Sequence, residues 1–125
     1  MTTRAEDRDD IRQLLAEYNH AIDHADDERW AALFTEEGTF DMGRDPVVGR
    51  EGLRKFAASM PPGMRHVVAN EVIDVDGDDA QVRAYVMLYG GSPPSLAMMG
   101  EYEDTLRRTA DGWRFARRVF RADGA

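Results

Sequence analysis

Asp23, His66 and Arg118 are the residues of this sequence best suited to acid–base chemistry. An imidazole exchanges protons near neutral pH, and a carboxylate bonded to one ring nitrogen leaves the other nitrogen to act as a base. An arginine beside such a pair would hold an anion formed in the reaction. The chain contains only three histidines, so chemistry of this kind has few other positions. Function is therefore expected to depend on whether these three residues meet in one cavity.

The first half of the chain has the apolar periodicity of helices. Residues 7–25 predict an amphipathic helix, in which Asp23 lies beside the apolar stripe near the end. A second, short helix is predicted to carry Trp30, Leu33 and Phe34, and residues 39–42 predict a short strand. A third helix is predicted after Gly49, and it ends before Pro61. The apolar residues on one face of this third helix are Leu53, Phe56, Ala57 and Met60.

In the second half of the chain, apolar and polar residues alternate as they do in β-strands, and glycine-containing turns separate the alternating segments. Strands are predicted at residues 64–75, 80–89, 96–108 and 113–121. Helices followed by a run of hairpin-linked strands predict one α+β domain, residues 1–125, in which a curved antiparallel sheet packs on the N-terminal helices. Side-chain alternation places His66 on one strand face with Met64, Val68, Asn70 and Val72.

Composition excludes several classes of partner. The formal charge is −8, which repels nucleic acid and anionic membranes. No apolar run approaches the ~18 residues of a membrane span, and the N-terminus has no apolar signal core. With no cysteine, the chain fits a reducing compartment, and we expect a cytoplasmic protein.

The order of elements and several short segments resemble the SnoaL-like branch of the nuclear transport factor 2-like superfamily. The resemblance covers residues 11–121, and its segments are residues 18–23, 30–40, 49–53, 66–70 and 111–115, together with Arg118. It implies a cone-shaped barrel with a deep apolar pocket, in a homodimer or homotrimer. It does not imply one reaction, because this fold hosts dehydratases, isomerases, cyclases, dehydrohalogenases and non-catalytic modules.

The resemblance also implies roles for four residues. In the dehydratases and the dehydrochlorinase of this superfamily, a histidine at the position of His66 is the general base and an aspartate near the position of Asp23 orients it. Tyr18 would be a phenolic donor in the cavity, and Arg118 would hold the departing anion. A structural alternative for Arg118 is a buried pair with Asp104, which shares a strand face with Tyr102.

A small hydrophobic, cyclic ligand is the partner that the predicted pocket favours. Methionine side chains adapt to irregular apolar ligands, and several here could line one pocket. The predicted substrate-binding residues are Met64, Asn70, Met87, Tyr89, Met98, Tyr102 and Phe120. No cofactor is expected, and no metal either, since His20 and His24 have helical spacing but no third ligand motif.

These residues favour a cofactor-independent lyase that performs dehydration or a related elimination, with the Asp23-oriented His66 as base. One alternative is an isomerase or polyketide cyclase that uses the same base, and another is a non-catalytic ligand-binding or assembly module. A ketosteroid-isomerase mechanism is disfavoured, because the position of its carboxylate base is occupied by Met42, with Asp41 on the opposite face.

Overall fold

Three helices and six strands are present in residues 1–124, the part of the chain that the computed structural model describes. The helices are α1 (Arg4–Asp23), α2 (Asp27–Ala32) and α3 (Gly49–Ala58). The strands are β1 (Phe34–Asp41), β2 (Val47–Val48), β3 (Arg65–Asp76), β4 (Asp79–Gly90), β5 (Ser95–Thr109) and β6 (Gly112–Ala122). The expected α+β class is confirmed, with the helices packed on one curved sheet.

The sheet has the strand order β2-β1-β6-β5-β4-β3. Its neighbouring strands are antiparallel except for β1 and β6, which run parallel. Parallel neighbours need a long connection, and here that connection contains α3 and the other three long strands. As a result, the C-terminal ends of β1 and β6 lie at the same end of the sheet.

Helix α1 begins at Arg4, three residues earlier than the apolar pattern predicts. The Thr3 hydroxyl accepts the Glu6 N–H at 3.1 Å, while the Glu6 carboxylate accepts the Thr3 N–H at 2.8 Å. This reciprocal capping satisfies two backbone donors that the helix itself cannot. The helix ends at Asp23, whose carboxylate therefore extends from the last turn.

Helix α2 is shorter than predicted, since Leu33 and Phe34 lie outside it. The Leu33 carbonyl accepts the Phe115 N–H at 2.9 Å, and Phe34 pairs with Phe115 in the first contact between β1 and β6. Both side chains are still buried, as the apolar pattern predicts. The pairing with β6, which is distant in sequence, converts the end of the predicted helix into a strand.

The core lies between the helices and the inner face of the sheet. Trp30 is at its centre, with ring centroids 5.0 Å from Phe34 and 5.7 Å from Phe56. Aromatic pairs at such distances add to the stabilisation that comes from burial alone. Alternate residues of β4 complete the core, namely Ala80, Val82, Ala84 and Val86.

A β-bulge in β3 changes which residues face the core. The pairing of β3 with β4 shifts between Ala69 and Val72, and Asn70 adopts a left-handed backbone with φ 56°. Beyond this point Ile73 is buried, at 7% exposure, whereas Val72 is 44% exposed. The prediction that Asn70 and Val72 share the face of His66 is therefore wrong, because an extra residue reverses the alternation.

Within residues 1–124, no helix combines the length and the apolar character that crossing a bilayer requires. The cytoplasmic location stays a prediction.

Arg108 ties the start of α1 to the sheet. Its guanidinium donates two hydrogen bonds to the Asp7 carboxylate, both at 2.9 Å, and lies over the Trp113 ring at 4.5 Å. The Thr2 hydroxyl also donates to Asp7. Hydrogen bonding from Arg108, followed by that from Thr2, lowers the pKa of Asp7 from its ordinary 3.8 to about 2. The ionised carboxylate is thus preferred in the folded protein.

Replacing Asp7 with Asn is expected to lower the melting temperature in a pH-dependent way. Because the folded pKa of Asp7 is depressed, its charge stabilises the fold above the unfolded value of 3.8, and this contribution is lost as the pH falls towards about 2. The melting temperatures of Asp7→Asn and the native chain should differ near neutral pH and converge at about pH 2. Thermal unfolding followed by circular dichroism across this pH range measures the melting temperatures of both proteins.

Asp78→Asn is the matched control, because Asp78 binds the same guanidinium at 3.0 Å but is solvent-exposed. Asp78→Asn should lower the melting temperature much less than Asp7→Asn does. A constant difference between Asp7→Asn and the native chain at every pH would contradict the assigned pKa of Asp7.

Candidate active site

A cavity of about 690 Å³ opens between the helices and the inner face of the sheet. Its walls are mainly apolar, and the side chains that form them include Ile22, Trp30, Phe40, Phe56, Leu88 and Phe120. This volume is in the range of pockets that enclose drug-sized molecules. His66, Tyr18 and Tyr102 place polar groups in the same lining.

Asp23 and His66 form the hydrogen-bonded pair that the sequence predicts. Nδ1 of His66 lies 2.7 Å from Oδ1 of Asp23, and the side chains are only 13% and 6% exposed. An ionised carboxylate can only accept a hydrogen bond, so we infer that Nδ1 carries a proton and that its N–H donates the hydrogen bond to Asp23. His66 lines the cavity, and Nε2 makes no hydrogen bond to residues 1–124.

Backbone geometry brings this pair together. Asp23 occupies the last position of α1, and His66 is the second residue of β3, which is an edge strand. Edge strands leave alternate N–H groups without a strand partner. The His66 N–H donates to both carboxylate oxygens of Asp23, at 3.2 and 3.0 Å. One carboxylate thereby holds both the strand backbone and the imidazole ring.

Tyr18 and Tyr102 are two buried phenols in the cavity lining. Their ring centroids are 6.0 Å apart in an edge-to-face arrangement. Burial raises the pKa of Tyr18 well above its ordinary value, and the neighbouring Tyr102 raises it further. Burial likewise raises the pKa of Tyr102; the charges of Asp104 and Asp23 act in the same direction, while Arg118 and a hydrogen bond with Tyr18 oppose them only in part. Both phenols are therefore protonated at neutral pH and can donate hydrogen bonds.

Arg118 is completely buried and paired with Asp104. Its Nε donates to Oδ1 at 2.8 Å and its Nη2 donates to Oδ2 at 3.1 Å, with both side chains at 0% exposure. The guanidinium lies 3.5 Å from the Tyr102 ring centroid and 4.3 Å from that of Tyr18. Burial alone would lower the pKa of Arg118, but the adjacent Asp104 carboxylate and the neighbouring Tyr102 and Tyr18 act in the opposite direction and together raise it.

The structure brings His66 and Tyr18 to the cavity lining, with Asp23 hydrogen-bonded to His66 behind it, and leaves Arg118 outside the lining. A group with no exposed surface cannot contact a ligand in the cavity. The alternative predicted from strand parity, a buried pair with Asp104, is the arrangement that the structure contains.

Three of the seven predicted substrate-binding residues line the cavity, namely Met98, Tyr102 and Phe120. The other four do not, and strand geometry explains three of them. Met87 and Tyr89 alternate with the lining residues Val86 and Leu88 and face the other side of the sheet. Asn70 is displaced by the bulge in β3.

Met64 precedes β3 and lies over Gly90 rather than in the cavity wall. An added Cβ at Gly90 would come within 2.6 Å of the Met64 sulfur. Phe120, by contrast, lines the cavity; it pairs with Tyr102 on β5, and its ring lies over Gly100, which pairs with Ala122. A Cβ at Gly100 would lie 2.6 Å from the Phe120 ring and 2.3 Å from the Arg121 carbonyl.

Sequence reasoning did not select several residues of the lining. Phe56 and Met60 belong to an apolar stripe that the third-helix pattern shows, so a signal for them exists. Arg44 and Arg121 give no such signal, since an arginine in a bend and one on an alternating strand resemble ordinary solvated residues.

Residues 1–124 contain no cluster of three potential metal ligands. His20, on the exposed side of α1, stacks on His24, which follows the helix; their ring centroids are 5.9 Å apart, and His24 Nδ1 lies within hydrogen-bond distance of the His20 carbonyl. The absence of a metal or cofactor from the activity stays a prediction.

Comparison with known proteins identifies the family. The model of the SnoaL-like domain matches residues 3–119, nearly the whole chain. The chain belongs to the SnoaL-like family. The family resemblance inferred from the order of segments is thus confirmed.

Solved structures from Novosphingobium aromaticivorans show the same fold. An NTF2-like protein with a cystatin-like fold is 27% identical, with a TM-score of 0.90 over 97% of this chain and 85% of that one. A candidate aromatic ring hydroxylase is 31% identical, with a TM-score of 0.85 over 99% and 94%. A candidate scytalone dehydratase is 26% identical, with a TM-score of 0.78 over 90% and 80%. All three structures share the fold of this chain, and the names hydroxylase and dehydratase belong to those two proteins.

The expected homodimer or homotrimer stays a prediction. Large apolar side chains do lie exposed on the sheet face that points away from the cavity, among them Val67, Val72, Tyr85 and Met99.

Replacing Arg118 with Met should destabilise the protein by about 3–5 kcal/mol, because Asp104 would remain buried without its partner. The double variant Asp104→Leu/Arg118→Met should recover much of this loss, since it removes both charges from the interior. The free energy of unfolding measured by urea titration compares the variants.

Arg117→Met is the control, because Arg117 pairs with Asp41 at 3.0 Å on an exposed surface. It should cost no more than about 1 kcal/mol. Equal losses for Arg118→Met and Arg117→Met would show that the buried pair does not have the assigned structural role.

Proposed function

We propose that this SnoaL-like protein is a cofactor-independent lyase that eliminates water or a related leaving group from a small hydrophobic, cyclic molecule. His66 is the general base and Asp23 orients it. The apolar cavity holds the ring of the substrate and excludes water from the reacting bond.

The Asp23–His66 pair at the cavity wall is the observation that carries this proposal. The 2.7 Å distance to a carboxylate, which accepts hydrogen bonds, supports a ring proton on Nδ1 and Nε2 as the basic nitrogen. The two additional bonds from the His66 N–H hold the carboxylate in place. A base with a fixed tautomer and orientation beside an apolar cavity suits proton abstraction from carbon.

In the proposed step, Nε2 of His66 removes a proton from a carbon that an adjacent electron-withdrawing group has made acidic. The electron pair of the C–H bond becomes the new C=C bond, and the C–O bond to the neighbouring hydroxyl breaks. The departing oxygen takes up a proton from solvent at the opening of the cavity and leaves as water. Asp23 stabilises the imidazolium that His66 becomes, and the transferred proton later returns to solvent.

Tyr18 and Tyr102 supply hydrogen bonds to substrate oxygen atoms. Both line the cavity, and burial raises the pKa of each phenol, so each is a donor rather than a base. Such donors stabilise negative charge that develops on a carbonyl or leaving oxygen in a dry cavity. Arg118 acts behind them as a positioning residue, since it lies against both rings and does not reach the ligand.

An isomerase or a polyketide cyclase is the second candidate, and the two adjacent phenols favour it. Proton removal next to a ketone gives an enolate, whose oxygen Tyr18 and Tyr102 could stabilise together. The same intermediate can be reprotonated at another carbon or can attack a second carbonyl. The products separate these reactions, because elimination loses water while isomerisation conserves mass.

His66→Ala should lower the turnover of a substrate of this chemistry by about 10²–10⁴-fold, the usual contribution of a general base. Candidate substrates come from a thermal-shift screen of hydrophobic cyclic alcohols and enones. Mass spectrometry and ultraviolet absorbance of the conjugated product then measure turnover. Asp23→Asn should also lower kcat, because an amide can favour the wrong tautomer of His66.

His20→Ala is the matched control, since His20 is an exposed histidine of α1 outside the cavity. Its turnover should equal that of the native chain. Equal turnover for His66→Ala and His20→Ala would remove His66 as the base, and ligand binding without any turnover would leave the non-catalytic binding module.

A further inference from the structure

Phe120 lines the cavity but takes no part in the proposed chemistry, and its surroundings on the sheet suggest a role for it. On the inner face of β5 the side chains follow the order Met98, Gly100, Tyr102 and Asp104. Met98 lines the open end of the cavity and is 43% exposed, whereas Asp104 is buried. Because Gly100 has no side chain, it leaves a gap in this face between the open end and Tyr102.

The ring of Phe120 fills this gap. Phe120 lies directly opposite Tyr102 in the pairing of β5 with β6, yet its ring extends over the neighbouring Gly100. A Cβ on residue 100 would lie only 2.6 Å from Cε1 of Phe120 and 3.0 Å from Cζ. Any side chain at residue 100 would therefore displace the ring from the space that it occupies beside Tyr102.

Tyr102 is thereby held from two sides. On the side away from the opening, the guanidinium of Arg118 lies 3.5 Å from the Tyr102 ring centroid. On the side towards the opening, the Phe120 ring centroid is 5.8 Å away, with an angle of 60° between the two ring planes. Aromatic rings attract each other in this geometry, and directly opposite positions on adjacent strands favour the contact. The direction of the Tyr102 hydroxyl therefore depends on Phe120 as well as on the buried ion pair.

We propose that Phe120 is a positioning residue, which holds Tyr102 so that its hydroxyl donates a hydrogen bond to a carbonyl oxygen of the ligand. The proposal deepens the proposed function and rests on it for the role of Tyr102 as a donor. A hydrogen bond weakens steeply as its angle departs from linearity. A Tyr102 ring that tilts into the space left by a smaller residue 120 would lose much of this bond. Phe120 thus makes the cavity selective for a carbonyl compound over a hydrocarbon of the same shape.

Two probes, 9-fluorenone and fluorene, test this selectivity, because they share a three-ring skeleton and differ only in one carbonyl group. Each is titrated against the fluorescent amine N-phenyl-1-naphthylamine, and displacement of the amine gives the dissociation constant of the probe. In Tyr102→Phe, the preference for the ketone should fall by roughly 2- to 10-fold relative to the native chain, the net value of one hydrogen bond.

Phe120→Ala should lose most of the same preference although Tyr102 is retained. Phe120→Leu keeps part of the apolar contact and should lose less. Circular dichroism identifies the variants that fold as the native chain does, and Phe120→Leu decides the outcome if Phe120→Ala does not fold.

Phe56→Ala is the matched control. Phe56 is a second half-buried phenylalanine of the cavity lining, but its ring lies against Trp30 at 5.7 Å and Phe40 at 5.4 Å rather than against Tyr102. Phe56→Ala should change the affinities for the two probes alike and keep the native preference.

Four results would overturn the proposal. These are a native preference in both Phe120 variants, a loss in Phe56→Ala as large as that in Phe120→Ala, a native chain that prefers the ketone no more than Tyr102→Phe does, and failure of both probes to displace the amine. A preference that is lost in Tyr102→Phe but kept in the Phe120 variants would leave Tyr102 as the donor and reject the role of Phe120.

His66→Ala separates this proposal from the proposed base. His66→Ala should bind both probes with the native preference, because His66 is not the group that donates to the carbonyl. Turnover that is insensitive to His66→Ala, together with a ketone preference that depends on Phe120, would reject the base and support the positioning role.

Discussion

The buried ion pair of Arg118 and Asp104 is the interaction on which the interior of this protein depends. Two charges without any exposed surface are tolerated only because two hydrogen bonds join them and aromatic rings cover the guanidinium. Those rings belong to Tyr18 of α1 and Tyr102 of β5, which line the cavity on their other side. The Arg118–Asp104 pair therefore connects the helix, the sheet and the cavity wall. Its geometry determines where the two phenol rings lie.

The Asp23–His66 pair makes a second connection between α1 and the sheet, at the edge strand β3. The same carboxylate that orients the ring also binds the backbone of His66, so the position of the base depends on where the helix ends. A helix one turn shorter or longer would move Asp23 by about 5.4 Å and break all three bonds. The residue at which α1 ends therefore determines whether Asp23 can orient the proposed base.

Much of this arrangement can be predicted from sequence, and its failures have definite causes. Apolar periodicity predicts the three helices, four long strands and buried positions such as Trp30 and Ile11, because burial repeats with the period of each element. It fails at Asn70 and Val72, where a bulge reverses the alternation, and at Phe34, where pairing with β6 overrides helical spacing. Bulges and pairings between distant segments arise from contacts that local patterns do not contain.

The sequence by itself determined the fold class, the family and the candidate dyad, since residue type and spacing carry those signals. Only the tertiary structure decided that Asp23 reaches His66 and that Arg118 is completely buried against the rings of Tyr18 and Tyr102. The reason is physical: a side chain's role depends on its partners and its exposure. Both are produced by the packing of segments that are far apart in the chain.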